Sequence, residues 1–337
     1  MNDARRPLVV VSDASIHPDA LAKLRDRCEV RVLDVGTPAD RFVEAFVEAQ
    51  GGLVRVGAVT GRLLEAAPHL RIVARHGTGV DIVDVDAATA NGVVVATTGS
   101  FNAAAVAEYT FAALLALVRK VPAADRSMRV GNWDRRPFIG AELEDRTLGI
   151  VGIGHIGSRV ARQALGFGMR VIGCDPAYAE PPVQGMRLGS LEEVLAAADI
   201  LTLHAPLSPT TYHLIDTAAL AMLRPGGFIV NTARGEVVDE DALIASLRSG
   251  HLAGAALDVF ANEPLEPESP LREMENVVLS PHVAAQTNEA MAQVGRSAAQ
   301  AILDDLGGRR PEYVYNPQVY EVRTAKGLFG EAVLRDA

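Results

Sequence analysis

Short apolar runs alternate with longer amphipathic segments along most of the chain, beginning with residues 8–11, 30–35, 53–56, 72–74 and 93–96. Helix-like or turn-like stretches at residues 19–27, 39–48 and 61–67 lie between them. Near-continuous aliphatic strands joined by helices predict a parallel sheet covered on both faces. This first part reads as a small α/β domain of its own. Residues 102–120 then predict one long helix, apolar on most sides, with Asn102 placed to cap it. A helix so apolar must be buried, and a boundary between domains or between subunits is the expected place.

The next segment, TLGIVGIGHIGSRVARQALGFGMRVIGCDP at residues 147–176, reads as strand, glycine-rich turn, helix and strand, and it closes on an acid at Asp175. In such a unit Gly152 allows the sharp turn, Gly154 lets a pyrophosphate approach the backbone, and Gly157 lets the helix pack closely on the strand behind it. The free N–H groups of the new helix then face the phosphates. Asp175, 18 residues beyond Gly157, suits a ribose 2′,3′-diol and disfavours a 2′-phosphate, so the expected cofactor is NAD rather than NADP. The alternation resumes at residues 200–203, 228–231, 255–258 and 277–280, giving a second sheet of six or seven strands. A further helix is expected from Thr287 to Leu306, followed by a mixed stretch broken at Asn316 and Pro317.

Composition changes this picture little. A chain of 337 residues suits two domains, and 49% hydrophobic with 22% charged residues is ordinary for a globular protein. The net charge of −10 argues against nucleic-acid or anionic-membrane partners. The two cysteines, Cys28 and Cys174, lack metal spacing, and Cys174 reads as a packed thiol. No metal site is expected. The most apolar stretch, residues 103–118, is interrupted by Glu108 and too short to span a bilayer. The opening residues run straight into a strand without a secretory apolar region, so the expected compartment is the cytoplasm.

Candidate chemistry sits after three consecutive strands of the second sheet, at Arg234, Glu263 and His282. Ligands of open parallel sheets bind outside the carboxyl ends of the strands, which aims all three at the cofactor side. Histidine exchanges a proton near neutral pH, a neighbouring carboxylate orients its ring, and an arginine grips a carboxylate or polarises a carbonyl. Together they are the equipment for interconverting a 2-hydroxy acid and a 2-oxo acid. Alone, each has an ordinary structural reading. In the first domain, Arg75-His76-Gly77-Thr78-Gly79 forms either an anion nest of backbone N–H groups or a turn that merely needs its glycines. Arg55 and Arg75 end neighbouring strands, and Arg135 and Arg136 lie beside Trp133. They fit a substrate phosphate, or are simply solvated or ion-paired.

The segments ARHGTGVDIVDVDAA, VAE, GNWDRRPFIGAELEDRTLGIVGIGHIG, HAPLSPTTYHLI, PGGFIVNTARGEVVDEDAL, GAALDVFANEP and NVVLSPHVAAQT follow one another across residues 55–316. In this order and spacing the chain resembles the D-2-hydroxyacid dehydrogenase family, especially its phosphoglycerate dehydrogenase and hydroxypyruvate/glyoxylate reductase branches. The resemblance implies two doubly wound parallel-sheet α/β domains. A Rossmann NAD-binding domain at residues 102–288 would be inserted into a flavodoxin-like substrate-binding domain at residues 1–101 and 289–337. It also implies a homodimer formed through the NAD-binding domain. Arg234 would bind the substrate carboxylate and carbonyl, His282 would be the acid/base, and Glu263 would pair with it. Asp258 would contact the nicotinamide carboxamide, with His155, Ile156, His204, Pro206, Thr211, Thr232, Ala233 and Ala284 completing the cofactor set. Thr78 and Gly79 would contact the substrate. Arg55 and Arg75, from their strand ends, and His76, from its place in the glycine loop, are expected to join them.

The leading expectation is therefore hydride transfer between NAD and a small 2-hydroxy or 2-oxo acid, with a phosphorylated three-carbon acid preferred. Two rivals remain. One is a relative acting on formate or phosphite, although formate-type relatives carry glutamine where Glu263 stands. The other is a nucleotide-sensing, corepressor-like binding protein on the same fold, against which the acidic charge weighs.

Overall fold

The structure is a computed structural model that describes residues 6–328; the lead-in at residues 1–5 and the stretch 329–337 lie outside the described residues. The chain divides into two units, Met1–Asn102 with Thr287–Ala337, and Ala103–Gln286.

The first unit opens with β1 (Leu8–Val11), α1 (Pro18–Arg25), β2 (Glu29–Val32), α2 (Ala39–Phe46), β3 (Gly51–Val54), α3 (Gly61–Ala66), β4 (Ile72–Arg75), α4 (Val85–Ala90) and β5 (Val94–Ala96). Its five strands are all parallel, in the order β2-β1-β3-β4-β5, the flavodoxin-like order. Helix starts follow local chemistry: the Thr60 and Asp84 side chains accept from Leu63 N and Ala87 N. Strand β3 begins two residues before its apolar run, at Gly51 and Gly52. These positions hold no side chain because Ile302 and the ring of Phe46 occupy the space, 3.0 and 2.6 Å from where their Cβ atoms would stand.

The second unit holds α5 (Ala103–Val118), α6 (Val121–Arg129), β6 (Thr147–Val151), α7 (His155–Gly166), β7 (Arg170–Cys174), β8 (Met186–Leu188), α8 (Leu191–Ala197), β9 (Ile200–Leu203), α9 (Thr217–Met222), β10 (Gly227–Asn231), α10 (Glu240–Arg248), β11 (Leu252–Leu257) and β12 (Val277–Leu279). Its seven parallel strands run β12-β11-β10-β9-β6-β7-β8. This is the Rossmann order with one strand added, and the order reverses between β6 and β9, where a cofactor binds in this fold. The three-residue β8, set among prolines and glycines, escapes sequence detection. Helix α5 is buried as expected, but against α7, β10, β11 and β12 of its own unit.

The chain returns to the first unit with α11 (Asn288–Leu306), capped by Thr287 and packed on α1, β3 and β4, and α12 (Val319–Lys326) is the last helix among the described residues. Asp305 on α11 is fully buried and bonded by Arg323 of α12 at 2.5 Å. Asn316, read from sequence only as a break, is also fully buried. It accepts from Val95 N (2.8 Å) and donates to Val93 O (3.1 Å) and Thr89 Oγ1 (2.9 Å), fastening the returning chain to the edge strand β5. Asn316→Ala leaves a strand N–H and a carbonyl buried without partners. Unfolding should become easier by roughly 2–4 kcal/mol, read as a lower urea midpoint, and an unchanged midpoint would show that water replaces the amide at no cost.

Candidate active site

The second unit builds its dinucleotide turn as the glycine spacing predicts. Gly152 has φ of +87°, and a Cβ there would stand 2.6 Å from Ala205 N. A Cβ on Gly157 would fall 2.1 Å from Gly152 O, so that glycine presses the start of α7 against the turn itself rather than only against the strand behind. Gly154 faces open space. His155 and Ile156 form the first turn of α7, whose N–H groups point out of the helix. Asp175 follows β7 and is fixed from both sides, with Oδ2 accepting from Ile153 N at 2.7 Å and Oδ1 from Ala177 N at 2.9 Å. The residues present therefore fit a diphosphate beside the turn and a ribose beside Asp175.

Across the switch point, Thr211 Oγ1 donates to Pro206 O at 2.6 Å and closes a tight turn after β9. His204 comes just before it. Its Nε2 meets Thr202 Oγ1 at 3.0 Å, and burial pushes the ring down to about 3. At neutral pH it carries no charge to offer a phosphate. Its Nδ1 is buried without a hydrogen-bond partner among the described residues.

Arg234, Glu263 and His282 stand after β10, β11 and β12, at the same carboxyl edge of one parallel sheet. His282 Nδ1 and Glu263 Oε2 are 2.8 Å apart. Glu263 Oε1 also accepts from Phe260 N at 3.2 Å. Partial burial pushes the Glu263 carboxyl up, but the hydrogen bond and charge of His282, the Phe260 N–H and the charge of Arg234 outweigh it and hold the group below the usual carboxylate range. His282 has φ of +53°, in the left-handed region that non-glycine residues seldom occupy. Its backbone is held there by Asp258, whose carbonyl accepts from His282 N (2.8 Å) and whose carboxylate accepts from Ser280 Oγ (2.6 Å), Val283 N (2.8 Å) and Ala284 N (2.8 Å).

Two residues of this scaffold lie inside the matched segments but have no role in the reading of the sequence. Asn231, buried at the end of β10, donates to Arg234 O (2.8 Å) and accepts from Ala233 N (3.0 Å), stapling the turn that presents the arginine. Ser280 links β12 to Asp258. An asparagine ending a buried strand, where an apolar residue would be less costly unless the amide had partners, is the available signal for the first.

In the first unit the structure separates residues that looked alike. Arg75 is buried, and its guanidinium donates to Val54 O (2.6 Å), Arg55 O (3.0 Å) and Gly79 O (2.8 Å). These bonds brace the glycine loop from beneath. Arg55 lies 3.3 Å from the buried carboxylate of Asp13 and is bonded to Ser15. His76 is pushed down to about 4, first by burial and then by the charge of Arg55, so it too is neutral. Gly77 has φ of +138° and open space where a side chain would be, while Thr78 is exposed and Gly79 half-buried. Arg136 is spent on Asp134, at 2.9 and 3.0 Å, beside the exposed Trp133.

Among the described residues no helix is long and apolar enough to cross a membrane, and no group of three His, Cys, Asp or Glu residues is arranged to hold a metal. Residues 111–284 match the family model described as D-isomer specific 2-hydroxyacid dehydrogenase, NAD binding domain. The chain is 44% identical over 306 residues to a D-3-phosphoglycerate dehydrogenase of Mycobacterium tuberculosis, covering 90% of this chain and 57% of that protein. It thus spans little more than half the length of that relative. Among solved structures it is similar to a Thermus thermophilus protein (35% identity, TM-score 0.85, 91% of this chain and 99% of that one). It is also similar to an NADPH-dependent glyoxylate/hydroxypyruvate reductase of Sinorhizobium meliloti (30% identity, TM-score 0.82, 93% and 98%).

Proposed function

The chain belongs to the D-isomer specific 2-hydroxyacid dehydrogenase family, and on that premise we propose that it interconverts a small 2-hydroxy acid and its 2-oxo acid, with NAD as cofactor. The observation that carries the reading is the His282–Glu263 pair at 2.8 Å, on the sheet edge that also carries Arg234 and the glycine turn. Bound NAD supplies or accepts the hydride. With Nδ1 committed to Glu263, Nε2 is the nitrogen left for the reacting oxygen. His282 protonates the carbonyl oxygen in reduction and removes the hydroxyl proton in oxidation, while Glu263 fixes the ring and favours its charged form. Arg234 holds the carboxylate and carbonyl with its planar fork.

We assign cofactor binding to residues 102–288, through the turn at Gly152, Gly154 and Gly157, with His155, Ile156, Asp175, Pro206, Thr211, Thr232, Ala233 and Ala284 around it. Substrate recognition is assigned to residues 1–101 and 289–337, through Arg55, His76, Thr78 and Gly79. A homodimer is proposed through the second unit, because Val121, Met128, Val130, Trp133 and Ile139, all within one stretch of 19 residues, are each more than half exposed. A monomer by sedimentation at micromolar concentration would reject it.

The relative named D-3-phosphoglycerate dehydrogenase supports a 3-phosphoglycerate-type substrate. One observation favours the glyoxylate and hydroxypyruvate branch: the charge of Arg55 is already shared with Asp13, which a dianionic phosphate would meet as a like charge. The deciding measurement is NADH oxidation with 3-phosphohydroxypyruvate, hydroxypyruvate and glyoxylate, in the parent and in Arg55→Ala. A phosphate role predicts that Arg55→Ala erases the parent's preference for the phosphorylated acid; a parent preferring the small acids, with an unchanged ratio in the variant, assigns it to the other branch. In either branch His282→Ala should lower turnover about 10²–10⁴-fold with NADH affinity nearly intact. No reduction of any 2-oxo acid by the parent would defeat the proposal.

Glu263→Gln should keep the ring oriented while removing the charge that favours imidazolium. Reduction, which needs the protonated ring, should then fall away at a lower pH than in the parent, and superimposable pH profiles would remove Glu263 from proton transfer. Asp175→Ser should narrow the preference for NADH over NADPH by relieving repulsion of a 2′-phosphate. Equal use of both cofactors by the parent would contradict the role given to Asp175.

A further inference from the structure

The turn after β10 and the loop after β11 meet backbone to backbone. Gly235, next to Arg234, is buried, and a Cβ there would stand 1.9 Å from Phe260 C, 2.1 Å from Phe260 O and 2.4 Å from Ala261 N. No side chain fits, so the Arg234 turn rests directly on the Phe260–Ala261 peptide. That segment is gripped from two further directions. Ala261 N donates to Glu240 Oε2 at 3.2 Å, and Glu240 is the first residue of α10, whose start is fixed by Asp239 accepting from Ala242 N at 3.1 Å. Phe260 N donates to Glu263 Oε1 at 3.2 Å, and the other oxygen of Glu263 meets His282 Nδ1 at 2.8 Å. The Arg234 turn is itself stapled by Asn231, whose amide donates to Arg234 O at 2.8 Å. Every step from Arg234 to the His282 ring is thus a hydrogen bond or a close backbone contact.

We propose that Gly235 and Glu240 are positioning residues: together they seat the Phe260–Ala261 peptide on the Arg234 turn, and this seat fixes where Glu263, and through it the His282 ring, stands relative to Arg234. The inference rests on the proposed function for the roles of those three groups. Gly235 sets the closeness of approach, because any side chain would push the turn and the loop apart. Glu240 sets the orientation, because the Ala261 N–H must face the start of α10 to keep its acceptor. With the peptide so held, the Phe260 N–H presents itself to Glu263 Oε1 and leaves Oε2 for the imidazole.

The test compares Glu240→Ala, Glu240→Gln and Gly235→Ala in the full chain, with the best 2-oxo acid from the panel. Glu240→Ala loses the acceptor, so kcat should fall about tenfold with KM for the acid nearly constant. Reduction should also fall away at a lower pH than in the parent, because a carboxylate less firmly placed beside the ring favours imidazolium less. Glu240→Gln keeps an acceptor oxygen while removing a charge, and it should stay within about threefold of the parent with the parent's pH profile. Asp258 and Arg234, the other charged groups whose fields reach the His282–Glu263 pair, are unaltered in all three variants. Gly235→Ala should lower kcat/KM about a hundredfold, the cost of displacing catalytic groups by about 1 Å. Should it fail to fold, the two Glu240 variants decide alone. Parent-like kinetics in Glu240→Ala or in folded Gly235→Ala would overturn the proposal, as would a slower Glu240→Ala whose pH profile has not moved. A glutamine variant that matches alanine would overturn it too, since the effect would then come from charge. If the parent reduces no acid, the proposed function has failed separately. The positioning claim is then judged by ¹⁵N-histidine titration of the ligand-free protein: the midpoint of His282, assigned through His282→Ala, should drop in Glu240→Ala and hold in Glu240→Gln, and equal midpoints in the parent and the alanine variant would overturn it.

Discussion

An ionised carboxylate taken out of water destabilises a protein by several kcal/mol unless its oxygens find donors. Asp258 meets that condition with three, Ser280 Oγ, Val283 N and Ala284 N, all from the segment that carries His282. Burial still pushes its carboxyl up, with those hydrogen bonds and the charge of His282 pulling the other way. The consequence is geometric. Three bonds to one short segment leave the backbone little freedom, and the left-handed conformation at His282 is sustained by them rather than by any preference of histidine. Glu263 can then meet Nδ1 at hydrogen-bond distance because the ring already arrives on that side.

Ionisation separates the histidines by function. His76 and His204 are pushed down to about 4 and about 3, both chiefly by burial, so their rings are neutral through the physiological range. Each can donate one hydrogen bond and accept another but cannot exchange charge with a reaction near neutral pH. His282 is half-exposed and faces a carboxylate that is held ionised. Of these three rings His282 alone stands at hydrogen-bond distance from a carboxylate.

What the sequence makes legible is whatever follows from periodicity and fixed spacing. The parallel strands, the glycine turn with Asp175, and the succession Arg234, Glu263, His282 after three strands are of this kind, because each depends on neighbours along the chain. What escapes it depends on neighbours in space. Gly51 and Gly52 look like a turn yet begin a buried strand, because Ile302 and Phe46 fill the volume their side chains would need. Asn316 looks like a break yet fastens β5, and Asn231 looks like a polar interruption yet staples the Arg234 turn. Thr110 interrupts an apolar helix, and nothing within that helix says that its hydroxyl meets Thr232, just beyond the end of β10.

The arginines of the first unit show the same limit and bear on how an anion would be recognised there. Arg55 and Arg75 sit at equivalent ends of β3 and β4, and their sequence contexts do not distinguish them. Arg75 gives donors to the carbonyls of Val54, Arg55 and Gly79, which fixes the far end of the Gly77–Thr78–Gly79 turn against the sheet. A nest of N–H groups binds an anion well only when its geometry is set beforehand, since ordering a glycine-rich loop on binding costs conformational entropy. Arg75 thus stiffens the loop. Arg55 is held beside a buried aspartate, which aligns its guanidinium while reducing the net positive charge it presents. Such a pair favours a directed hydrogen bond to a singly charged or neutral group over attraction of a dianion, because the aspartate repels the second negative charge as strongly as the arginine attracts it at comparable distance.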